Sequence, residues 1–97
     1  MIARIRTITA KLDNLEDLQK EWPRYPVTMK SKGLKDGFLV VDRKTGKGYS
    51  MSFWESEAAM KASENDPEFK KAYKVLGSAF FTEHDVEYFD VLCKLHD

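Results

Sequence analysis

Two segments of this chain are apolar on both sides of a pleat and a third is simply polar on neither, and any fold it adopts has to cover both sides. Successive residues of a strand point to opposite faces. Phe38 and Val40 therefore oppose Leu39 and Val41, while Tyr49, Met51 and Phe53 share one side against Ser50, Ser52 and Trp54 on the other. Near the C-terminus Val86, Tyr88 and Leu92 oppose Phe89, Val91 and Cys93. A sheet built from such strands is one that is packed twice.

The rest of the chain supplies helix for only one of those packings. Met1 to Thr9, with Ile2, Ile5 and Ile8 among β-branched threonines, predicts a first strand. Asp13 and Glu16 have capping-box spacing, and Leu12, Leu15, Leu18 and Trp22 recur at helical intervals until Pro23. Residues 23–36 carry two prolines and stay unassigned, with one further helical turn allowed over Val27 to Lys32. Phe38 to Val41, the turn residues Asp42 to Gly48 and the run Tyr49 to Trp54 predict a hairpin. Ser56 caps a helix from Glu57, and Asp66-Pro67 restarts it, with Phe69, Ala72, Tyr73, Leu76 and Phe80 forming one apolar stripe. Val86 to Leu95 is the expected last strand.

That order, βαββαβ, predicts an α+β ferredoxin-like fold: a four-stranded antiparallel sheet with both helices on one face. Residues 1–97 are expected to form a single domain, which at this length buries only roughly two thirds of its unfolded surface. Leaving half a dozen apolar side chains wet on the second face, at about 1.5–3 kcal/mol each, forgoes on the order of 10 kcal/mol. The expected cover is a second copy of the chain, packed sheet to sheet as a homodimer.

Composition narrows the function classes. Lys and Arg total 16, as do Asp and Glu, so there is no basic excess to hold phosphates. This bears on Lys47-Gly48-Tyr49-Ser50-Met51-Ser52-Phe53-Trp54, which resembles the octapeptide strand of RNA recognition motifs. Its second stacking position is Met51, and the first strand offers Ala3, Ile5 and Thr7 where a ring is wanted. RNA binding is therefore the least favoured reading, and no nucleic-acid partner is expected. With Cys93 as the single cysteine, neither an intrachain disulfide nor a cysteine metal site is expected, and a reducing cytoplasmic setting follows. The opening residues MIARIRTITA predict neither a secretory signal nor a membrane span.

The stretches GFLVVDRKTGKGYSMSFWESEAAMKASE, DPEFKKAY and DVEYFDVLCKL resemble the antibiotic biosynthesis monooxygenase superfamily over nearly the whole chain. The resemblance implies a dimeric α+β barrel, in which two sheets pack across a two-fold axis. Activities it implies include oxygenation of polycyclic phenols or quinols without metal or flavin, and haem degradation. In the phenol-oxidising branch an Asn stands four residues before the strand-end Trp; here Trp54 keeps the Trp and Ser50 replaces the Asn. In the haem-degrading branch a His follows the F-x-x-A element and a Trp lies in the second helix; here Tyr73 and Ala62 or Ser63 stand there. Haem degradation is thereby disfavoured, and no cofactor is expected.

The resemblance and the face pattern select Trp54, Ser50 and Tyr73 as candidate catalytic residues, with Ser52, Trp54, Tyr73 and His84 as candidate ligand contacts. Small serines beside an indole leave room for a cleft between sheet and second helix. The competing reading is that Trp54 only fills core and Tyr73 is a core residue with a wet tip. Arg4 and Arg6 share a face of the first strand, where an anionic ligand or Asp90 is available as partner; a solvated or dimer-edge ion pair is the default. His84 and His96 stand roughly 40 Å apart in an extended strand, too far to share a metal, and His84 is by default a loop residue. Cys93 is expected to be buried by alternation with Val91 and Leu95. The function expected is a monooxygenase-like protein binding a small aromatic molecule; the alternative is a non-enzymatic ligand-binding or regulatory dimer.

Overall fold

The computed structural model of the chain describes residues 1–95. Four strands, β1 (Ile2–Ala10), β2 (Leu34–Val41), β3 (Lys47–Trp54) and β4 (Phe81–Asp90), form one antiparallel sheet in the order β2-β3-β1-β4. Helices α1 (Leu15–Glu21), α2 (Glu57–Glu64) and α3 (Pro67–Phe80) complete the expected α+β ferredoxin-like layout. No helix among the described residues is long and apolar enough to cross a membrane.

Local chemistry sets most boundaries where the sequence puts them. Ser56 accepts a hydrogen bond from the Ala59 amide to start α2, and Asp66 accepts from Glu68 and Phe69 to start α3, with Pro67 in the first turn where no amide is needed. The hairpin turn closes through Gly46 N–H to the Asp42 carbonyl and Lys44 N–H to the Asp42 side chain. Gly46 has φ of 82°, and a Cβ there would stand 2.5 Å from the Ala10 carbonyl oxygen.

Four expectations need correction. Asp13 does not cap the first helix: it lies in a short 3-10 turn (Leu12–Asn14), and α1 begins without a side-chain cap. β2 starts at Leu34 rather than Phe38, fed by a 3-10 segment over Pro26–Lys32 that fills the unassigned region. β4 runs from Phe81 to Asp90, five residues earlier than expected. Phe81 follows α3 with no loop and pairs with Ala10, while the polar run Thr82 to Asp85 is tolerated because an edge strand has solvent along one side. Leu92 and Cys93 consequently lie past the sheet and are exposed, which overturns the burial expected for Cys93. His96 lies outside the described residues.

The register resolves the helix-facing side into rows. Leu34, Trp54 and Ile2 make one row, and Val41, Gly48 and Ile8 another. Between them lie Gly37, Ser52, Arg4 and Tyr88, then Leu39, Ser50, Arg6 and Val86. The apolar ends of this pattern nucleate two separate cores: Met29, Leu34, Trp54 and Met60 at one end, and Ile8, Ala10, Leu18, Leu76 and Phe81 at the other. A band of small and charged residues divides them.

On the opposite face, Phe38, Met51 and Ile5 align across three strands, flanked by Val40 with Tyr49 and by Phe53 with Ala3 and Phe89. Phe38 and Phe53 meet edge to face at 6.0 Å. Phe38, Val40, Tyr49 and Phe89 remain 38–49% exposed, so the helices leave this apolar face uncovered. Gly46→Ala is expected to cost on the order of 1–3 kcal/mol, because it combines a left-handed backbone with a collision against Ala10; an unchanged urea midpoint would contradict that assignment of the turn.

Candidate functional site

The polar band encloses a chamber. β1 contributes Arg4 and Arg6, β3 contributes Ser50, Ser52 and Trp54, and α3 contributes Phe69, Tyr73 and Leu76. Trp22, Tyr25 and Pro26 close it from the segment after α1. Trp22 reaches over the sheet because Gly37 has no side chain: a Cβ there would come within 3.2 Å of the indole Cη2. The free volume is about 30 Å³, room for about two water molecules rather than an aromatic ring. The space beside Trp54 is thus smaller than the ring-sized pocket expected there.

Two arginines dominate it. Arg4 is 2% exposed, and its guanidinium donates from one terminal nitrogen to Ser63 Oγ at 3.3 Å and Glu64 Oε1 at 3.2 Å. Its carbon lies 5.2 Å from the centre of the Trp54 ring and 6.0 Å from that of Phe69. Burial, then the charge of neighbouring Arg6, pulls the Arg4 pKa below its ordinary value, while Glu64 opposes the shift. Arg6 stacks on Tyr73 at 4.1 Å and faces Glu83 at 3.2 Å, too poorly directed for a hydrogen bond. Among the described residues, Arg4 Nε, Arg6 Nε and the Tyr73 hydroxyl are buried without a hydrogen-bond partner. Buried polar atoms of this kind are uncommon in folded proteins.

Of the residues singled out from sequence, the fold gathers Trp54, Ser50, Ser52 and Tyr73 around one space. Trp54 is buried, and its indole N–H donates to Ser52 Oγ at 2.9 Å, which fixes the ring and leaves the serine proton free to donate. Tyr73 packs between Phe69 and Phe81, and burial raises its pKa above the ordinary tyrosine value, with Arg6 pulling the other way. His84 is not part of the chamber. It occupies the bulge in β4 opposite Thr7 and Ile8, not a loop, and its ring contacts Thr9 Oγ1 at 2.6 Å. No cluster of metal-ligating side chains occurs among the described residues.

Sequence reasoning undervalued the arginines. Arg4 does not pair with Asp90, which stands opposite Ile2, and neither arginine is a solvated edge pair. The signal was present: two charges two residues apart on a strand that becomes central, sharing a face with Trp54. Phe69 carried the same helical-spacing signal as Tyr73, whereas Trp22 and Tyr25 could be placed at the site only by the tertiary fold.

Outside the chamber, a groove of about 590 Å³ runs between α3 and β4, lined by Lys11, Lys70, Lys74, Gly77 and Phe81 among others. Arg6, Phe69 and Tyr73 line both spaces, so the Arg6–Tyr73 stack is the partition between them. A second groove of about 470 Å³ along β2 contains Trp22 but none of Ser50, Ser52, Trp54 or Tyr73.

The sequence of residues 1–75 matches the antibiotic biosynthesis monooxygenase family. No curated protein matches the chain. Among solved structures, the cofactor-independent oxygenase SnoaB from Streptomyces nogalater is similar with a TM-score of 0.74 at 14% identity, covering 99% of this chain and 97% of that one. An asparagine-to-alanine mutant of SnoaB scores 0.76 at the same identity and coverage. Rv0793 from Mycobacterium tuberculosis scores 0.71 at 14% identity, covering 97% of each chain. At such identities the likeness is one of fold.

A buried hydroxyl without a partner costs about 1–3 kcal/mol, so Tyr73→Phe is expected to leave the unliganded protein as stable as before or up to about 1 kcal/mol more stable. The sign with pH follows from the raised pKa: the folded state holds this proton longer than the unfolded chain, so stability is lost as pH climbs above about 10. Tyr73→Phe is expected to reduce that alkaline loss; an identical pH profile in urea denaturation would count against a buried, neutral Tyr73.

Proposed function

The chain belongs to the antibiotic biosynthesis monooxygenase family, and we propose that it acts as a cofactor-independent monooxygenase on a small aromatic molecule of phenol or quinol type, bound between sheet and helices. The observation that carries this reading is the small space beside Trp54, with Ser50, Ser52 and Tyr73 on its wall. SnoaB, a cofactor-independent oxygenase of the same fold, supports it.

The chamber alone does not hold a ring. Binding in this account displaces the Arg6–Tyr73 stack, which joins the chamber to the α3–β4 groove and gives a space within the usual range for small ligands. The indole of Trp54 and the ring of Phe69 then form apolar walls, while the Tyr73 hydroxyl and the serine protons donate to the substrate's oxygens. In such a reaction the substrate supplies the electrons. For a phenol with a free para carbon, one atom of dioxygen becomes the quinone oxygen; the other leaves as water, carrying the hydrogens of the broken C–H and O–H bonds. The chain's part is to orient the substrate and exclude water.

The uncovered face favours the homodimer. Phe38, Val40, Tyr49 and Phe89 are each a little under half exposed, so burying what remains against a second copy is worth about 1 kcal/mol for each. The same face bears Asp36, Asp85 and Glu87 beside Lys47, a balance that repels phosphate and disfavours RNA. We take the cytoplasm as the setting, on the strength of the lone free thiol of Cys93. A second reading, a non-catalytic ligand-binding or regulatory dimer, draws support from Ser50, whose short arm stands where the phenol-oxidising branch has an amide.

Oxygen uptake across a panel of hydroquinones and phenols separates the two: turnover that falls at least tenfold in Trp54→Phe supports the oxygenase, and saturable binding without uptake supports the regulatory dimer. For the assembly, sedimentation is expected to give twice the chain mass at tens of micromolar, and Phe38→Glu with Tyr49→Glu to give a monomer. A native monomer at that concentration would remove the dimer.

A further inference from the structure

We propose that the molecule bound in this chamber is an aromatic acid, its carboxylate held between Arg4 and Arg6 and its ring lying against Trp54 and Phe69. The inference rests on the reading that the chamber takes a small molecule, and it adds the chemical class.

An arginine is seldom buried without full pairing, because removing its charge from water is costly. Arg4 is at least nine-tenths buried and, among the described residues, has only Glu64 as a carboxylate partner, engaged by one of its nitrogens. Glu64 is also shared, since it accepts a hydrogen bond from the Tyr88 hydroxyl at 2.8 Å. Arg6 has, among the described residues, only Glu83, in poor hydrogen-bond geometry. Both carboxylates line the outer groove or its rim, with side chains about one third exposed, and neither lines the chamber. The arginine pair is thus left with an Arg4 Nε–H that has no partner among the described residues, an Arg6 Nε–H that meets Glu83 only in poor geometry, and two like charges in adjacent rows of the sheet.

Only an anion answers both conditions together. A neutral phenol accepts a hydrogen bond but leaves the repulsion between the guanidinium groups in place, whereas a carboxylate accepts several N–H bonds and neutralises charge. The approach is suited to the same cargo. The groove outside the partition carries Arg6, Lys11, Lys70 and Lys74 against Glu64 and Glu83, four basic side chains to two acidic ones, in a chain whose charges otherwise balance at 16 and 16. Phe69, Tyr73 and Phe81 line that groove as well, so it presents rings and cations to an entering aromatic anion.

The test uses the full chain and two probes of matched shape, salicylate and salicyl alcohol, with binding followed by calorimetry. Salicylate is expected to bind at least tenfold more tightly than the alcohol, and Arg6→Met to shrink that preference to within about threefold. Arg4→Lys, which keeps a charge but loses the planar fork, is expected to weaken salicylate alone and guards against misfolding of a more drastic variant. Equal affinity for the two probes would overturn the acid assignment and spare the small-molecule reading. No saturable binding of either probe would overturn both. A preference for salicylate that survives in both variants would remove the arginines from the site.

Discussion

Two guanidinium groups, those of Arg4 and Arg6, sit side by side where a sheet and its helices would otherwise close on one continuous core. The remaining architecture is arranged around that interruption. Long charged side chains from β1 need short neighbours, and β3 and β2 supply Ser52, Ser50 and Gly37 in the same rows. Apolar packing is displaced to either end, giving two cores in place of one. The space between them cannot be dry in the sense of an oil-filled cavity, because its walls carry N–H and O–H groups that lack partners among the described residues.

Such an arrangement is a poor way to stabilise a small domain and a good way to build a binding site. Burying a charge pair seldom stabilises a fold more than apolar residues of the same volume do, and each unpartnered donor adds a further penalty. Strain and unsatisfied groups of this kind concentrate where function requires them. The second apolar face carries the complementary deficit: Phe38, Val40, Tyr49 and Phe89 offer burial that the chain's own helices do not provide. Stability withheld on the helix-facing side is available on the other, if a second copy covers it.

The sequence disclosed the fold well because its local signals agree. Ser56, Asp66 and Pro67 mark helix starts that tertiary contacts did not override, and the alternation in Tyr49 to Trp54 fixes which side of β3 meets the helices. It misled at β4, where Thr82 to Asp85 look like a loop and Val91 to Leu95 like strand; pairing with β1 and the direct junction from α3 outweighed composition. It misled at Cys93 for the same reason. Part of the site wall was legible, since Trp54, Ser50 and Ser52 follow from strand parity and Tyr73 from helical spacing. The arginines were visible as residues but not as buried ones, because burial depends on β1 being central and on α3 crossing above it. Phe69 shares the stripe of Tyr73, whereas Trp22 and Tyr25 come from a segment whose position no local pattern specifies.

The measurement that bears most directly on this account is the stability of the chain with Arg4 and Arg6 both replaced by methionine. If the arginines serve a ligand, their removal leaves Glu64 and Glu83 with access to water and fills the band with apolar atoms; stability then stays within about 1 kcal/mol of the native chain or rises. A loss of about 3–5 kcal/mol, as expected when a structural buried ion pair is broken, would mean that the two charges hold the fold together and that the chamber is a by-product of them.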